Sequence, residues 1–87
     1  MHAVVVRVTI NDPEAAERGL RDQTIPRVSQ APGFVTGYWT RKGDTGLSMV
    51  IFESEDAARG AGERIRENAP DGVTVEDVEV REVAAQA

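Results

Sequence analysis

The sequence predicts a single α+β domain whose elements run strand–helix–strand–strand–helix–strand, forming a four-stranded antiparallel sheet with two helices on one face. Three observations predict it. β-branched residues recur with period two near the N-terminus, at Val4, Val6, Val8 and Ile10. Capped amphipathic helix patterns begin at Asp12 and at Ser54. A tight-turn sequence, Lys42-Gly43-Asp44-Thr45, joins two further strand patterns. At 87 residues the chain is long enough for one domain, spanning 1–87, and no more.

The first strand covers 3–10. Its even positions form a wholly apolar face, whereas Ala3, Val5, Arg7 and Thr9 make a mixed one. That pattern suits a central strand with a packed core on one side. Asp12 caps the helix that follows, Pro13 suits its first position, and Glu14 complements the positive end of the helix. Ala16, Leu20, Thr24 and Val28 form its buried stripe. Pro26 removes a hydrogen bond within this stretch, which predicts a kink or break near Thr24–Ile25 and an end at Pro32-Gly33.

Strands follow at 34–41 and 46–53. Leu47, Met49 and Ile51 alternate there with Ser48, Val50 and Phe52. Ser54, Glu55 and Asp56 start the second helix, whose narrow stripe is Ala57, Ala58, Ala61 and Ile65. Gly60 and Gly62 each lower helix propensity by about 1 kcal/mol relative to alanine and leave room for a close neighbour. The last strand is expected over Asp77–Val83, with Val78 and Val80 on the core face. Val73-Thr74-Val75 is out of phase with them, which suggests a bulge or a separate segment. Residues 84–87 should fray as a flexible tail.

Composition excludes several function classes. With no cysteine and a single histidine, His2, disulfides, thiolate metal sites and multi-histidine sites within one chain are ruled out. A domain this short is marginal without such devices, which leaves oligomerisation as the remaining means of support. Net charge is −5, and the cations are Lys42 and nine scattered arginines. Without a basic stripe, neither nucleic acid nor an anionic membrane surface is an expected partner. No apolar run approaches membrane-helix length and no signal-peptide pattern opens the chain, so a soluble cytoplasmic protein is expected.

Three local signatures narrow the reading: Pro32-Gly33-Phe34, the pair Tyr38-Trp39, and Phe52-Glu53-Ser54-Glu55-Asp56-Ala57-Ala58. With the ferredoxin-like element order, they resemble the antibiotic-biosynthesis-monooxygenase-like group of the dimeric α+β barrel superfamily, over nearly the whole chain. The resemblance implies a homodimer in which two sheets face each other across a cavity. The superfamily it resembles includes cofactor-independent oxygenases of polyketide-type aromatics, haem-degrading enzymes, muconolactone isomerases and proteins of no known activity, and of these the resemblance points to an oxygenase-like binder or to no catalysis. The haem-degrading branch of that superfamily uses a histidine on the second helix and a tryptophan where Phe52 stands. This chain lacks both, so haem degradation is not expected and no cofactor is implied.

A hairpin register that pairs Trp39 with Ser48 and Val35 with Phe52 groups Trp39, Arg41, Ser48 and Phe52 on one face. The expectation is that this is the face without helices, joined by Arg7 and Thr9 from the first strand and by Glu79 and Arg81 from the last. Such a set could hold an anionic aromatic ligand. Simpler readings stand beside it. Arg7, Glu79 and Arg81 could pair ionically between neighbouring strands or across a dimer, and Trp39 could anchor an interface. Tyr38, with Phe34 and Met49, is expected under a helix. His2 reads as a solvated residue near the terminus, and Asn11 as support for the turn before the first helix. Two functions fit: a homodimeric small-molecule binder of the monooxygenase-like kind, and a non-enzymatic dimer whose sheet faces are only its interface.

Overall fold

A computed structural model describes all 87 residues. The strands are β1 (His2–Ile10), β2 (Phe34–Lys42), β3 (Thr45–Phe52) and β4 (Val73–Glu82). They form one antiparallel sheet in the order β2-β3-β1-β4, the ferredoxin-like arrangement. The helical elements are α1 (Pro13–Gly19), α2 (Ile25–Ser29) and α3 (Glu55–Glu67), and they cover one face of the sheet. No helix is long and apolar enough to cross a membrane. Residues 84–87 carry no regular secondary structure.

Both expected caps form. The Ala15 amide donates to Asp12 Oδ1 at 3.2 Å, and the Ala57 amide donates to Ser54 Oγ at 3.1 Å. The helix is irregular near Thr24–Ile25, as expected, and a short helix continues beyond it to Ser29. A π turn over Leu20–Thr24 joins α1 to α2, and the Ile25 amide donates to the Leu20 carbonyl five residues back. A proline ring crowds the carbonyl one turn before it and brings no N–H, and here the helix widens instead of ending.

The seven-residue core consists of Val4, Val6, Val50, Phe52, Ala58, Ala61 and Val78, all buried between the sheet and α3. The phase change in β4 is a bulge. Pairing shifts between Arg7–Asp77 and Val8–Val75, leaving Glu76 as the extra residue. Val73 and Val75 thereby join Val78 and Val80 on the helix-covered side, and the strand begins four residues earlier than expected. A second bulge lies at Val35, so Phe34 and not Val35 stands opposite Phe52. The Phe34 and Phe52 rings contact each other with centroids 6.2 Å apart.

Candidate functional site

β1 decides which way β3 and β2 face. Val4 and Val6 point to the helices, and they pair with Val50 and Ser48. Ser48 pairs in turn with Trp39, as the hairpin register predicted. Directly paired residues share a face. Trp39, Arg41, Ser48 and Phe52 therefore lie on the helix-covered side, which corrects the expectation that they line the open face. Phe52 is 1% exposed and belongs to the core. Arg7, Thr9, Glu79 and Arg81 do lie on the open face, and Tyr38, Leu47 and Met49 join them there in place of Trp39. β3 alone does not specify which of its faces turns inward, because both are largely apolar.

Between the sheet and the first helical segment lies a half-open cavity of about 420 Å³, here called the chamber. Its sheet wall includes Val6, Val8, Trp39, Ser48 and Val50. Its helix wall is the stripe Ala16, Leu20, Thr24 and Val28, and Ile65 and Pro70 close one side. Trp39 is half-buried and packs against the edge of the core. Ser48 and Thr24 supply hydroxyls to walls that are otherwise mostly apolar, and the exposed Glu17 and Arg41 flank them. Arg41 Nε donates to the Gly43 carbonyl at 3.1 Å, which ties its guanidinium to the hairpin turn. The stripe on the first helix was legible as a buried face, but not as the wall of a cavity. The available signal was Thr24, a hydroxyl in that stripe, with Pro26 two residues on.

The open face carries polar contacts of a plainer kind. Arg81 Nε donates to Glu79 Oε2 at 2.8 Å, a pair along β4 and not between strands. That hydrogen bond first, and the Glu79 charge second, raise the Arg81 pKa above its ordinary value. Thr9 Oγ1 donates to the bulged Glu76 at 3.0 Å. Arg7 stands opposite Asp77 without a salt bridge to it. Elsewhere, Asn11 Nδ2 donates to Thr74 Oγ1 at 2.8 Å, so it ties the turn before α1 to β4. His2 is not freely solvated, since its Nε2 lies 3.4 Å from Glu55 Oε2 at the start of α3.

The site is thus a mostly apolar chamber with an indole and the Ser48 and Thr24 hydroxyls among its lining groups, in a ferredoxin-like α+β domain. Compared with the models of known protein families and with curated proteins, the sequence matches none.

Proposed function

We propose that this chain is a cytoplasmic, homodimeric binder of a small aromatic or polyketide-like molecule, resembling the cofactor-independent monooxygenase-like proteins. The observation that carries this reading is the cavity beneath the first helical segment. Its volume of about 420 Å³ falls within the ~300–1,000 Å³ usual for small-molecule sites. Its few polar groups also match the pattern of such sites, in which apolar walls supply affinity and sparse donors fix orientation. Trp39 offers a ring to stack on. The Ser48 and Thr24 hydroxyls and the Arg41 guanidinium are donors available to a phenolic or enolic oxygen. In this reading the ligand sits in the chamber within each chain.

The dimer in this reading uses the open face. Tyr38 is 64% exposed, Leu47 49% and Met49 46%, side by side on β2 and β3. Aromatic and methionine side chains are enriched at interface centres, and a second copy would cover them. This also supplies the support expected of a short chain without disulfides.

One pair of measurements tests both parts. Trp39 is the sole tryptophan, so its fluorescence reports on the chamber directly. Titration with 2-naphthol should quench it saturably with one site per chain, and light scattering should give about twice the 9.4 kDa chain mass. Absence of saturable binding up to millimolar naphthol would sink the binding reading. A monomer at micromolar concentration would sink the dimer. A dimer without binding would leave the alternative, a non-enzymatic dimer whose sheet faces are only an interface.

A further inference from the structure

Trp39 does not stand upright in the chamber. Its six-membered ring lies back along β2 over Gly37, the next residue on the same face of the strand. A Cβ at Gly37 would sit 2.8 Å from Trp39 Cη2 and 3.0 Å from Cζ3, well short of the 3.4–4 Å of ordinary carbon contact. Both close atoms lie at the far end of the Trp39 side chain and belong to one rigid ring, so the overlap is relieved by swinging the whole indole about its side-chain torsions. Gly37 itself is absent from the chamber wall, whereas Trp39 is part of it. The indole therefore occupies space over the strand that any other residue at position 37 would fill.

From this we infer that Gly37 is the size-determining residue of the chamber. It lets the end of the indole rest against the strand, and so sets how much of the chamber is left for an aromatic ligand beside the ring. The inference rests on the reading of the chamber as a binding site, and it specifies the class of occupant: a planar, fused-ring aromatic. Replacing Gly37 by alanine lifts the indole off the strand toward Leu20 and Val28 on the opposite wall, so the space for a second ring is lost first.

The test compares phenol and 2-naphthol on the full-length wild type, Gly37→Ala, Trp39→Leu and the double variant, using ligand fluorescence. Gly37→Ala should weaken naphthol binding about tenfold, the scale of a lost aromatic stacking contact, and change phenol binding less than about threefold. In the Trp39→Leu background, whose side chain is too short to reach position 37, Gly37→Ala should have no further effect. Without ligand, Gly37→Ala should change the near-ultraviolet circular dichroism of the single tryptophan and lower its quenching by acrylamide, while far-ultraviolet spectra stay unchanged. Equal naphthol affinity in wild type and Gly37→Ala would overturn the inference and leave the binding reading standing. A parallel loss of both ligands, or the same loss in the Trp39→Leu background, would also overturn it, because the effect would not pass through the indole. If wild type binds neither ligand, the binding reading falls and this inference falls with it.

Discussion

The two halves of the helix layer follow the same strand–helix–strand plan but pack differently. α3 approaches the sheet closely. Ala58 and Ala61 are buried, and a Cβ at Gly62 would lie 3.4 Å from Val78 Cγ1 and 3.8 Å from Val4 Cγ1. Gly60, by contrast, has only Arg64 nearby and takes no part in this approach. Small residues on the helix meet large ones on the sheet, and the layer between them is dense. On the other half, the α1–π–α2 segment contributes no side chain to the fully buried core. Val28 packs against the edge of that core, while Leu20 and Val28 both line the chamber that lies between this segment and the sheet. The comparison teaches that one helix holds the fold together and the other leaves a space. Stability and the proposed function are thus assigned to opposite halves of one helix layer.

The largest expected effect lies on the dense side. Phe52→Ala removes a fully buried ring and its contact with Phe34, and should cost ~3–5 kcal/mol in urea denaturation, a large share of what a small domain has. A loss under about 1 kcal/mol would erase the contrast between the halves.

A smaller effect of opposite sign is expected on the chamber side. Leu20→Phe adds volume where the chamber already has room, so it should raise stability by ~0.5–2 kcal/mol while abolishing naphthol binding. Destabilisation by the ~1–3 kcal/mol typical of overpacking would mean that this wall is as tightly packed as the α3 side.

The smallest effect is expected on the uncovered face. Arg81 is fully exposed, and its bond to Glu79 runs along a single strand. Arg81→Gln should leave the denaturation midpoint unchanged within error at any pH from about 5 to about 9. The sign agrees: a raised arginine pKa contributes stability below its unfolded-state value and loses it only as pH rises above that range. A pH-dependent fall in midpoint within that window would assign the pair a structural role that its exposure does not suggest.

Much of this fold was legible in the order of residues. Asp12-Pro13 and Ser54-Glu55-Asp56 state where the helices begin, because capping is a contact between residues three apart. Gly43-Asp44 sets the hairpin register, so Trp39 opposite Ser48 followed from the turn alone. The bulge in β4 was legible in the broken phase of its valines. The candidate site was less legible. Of the residues grouped on the open face, Trp39, Arg41, Ser48 and Phe52 belong on the other side. Hydrophobic alternation could not say which face of β3 turns inward when Leu47, Met49 and Ile51 oppose Ser48, Val50 and Phe52.

By itself, then, the sequence determined the order of elements, their caps, the hairpin register and the exclusion of thiolate and multi-histidine chemistry, all of which depend on residue types or on contacts within a few positions. Tertiary structure alone decided the rest. The pairing of β1 with β3 joins residues as distant in the chain as His2 and Phe52, and only that pairing turns Trp39 toward the helices. The chamber beside the first helical segment exists only in the assembled fold, where α3 packs closely on the sheet and the stripe on the first segment faces the sheet across the cavity. No local pattern encodes a distance between two layers, since it is set by the largest side chains that meet across them.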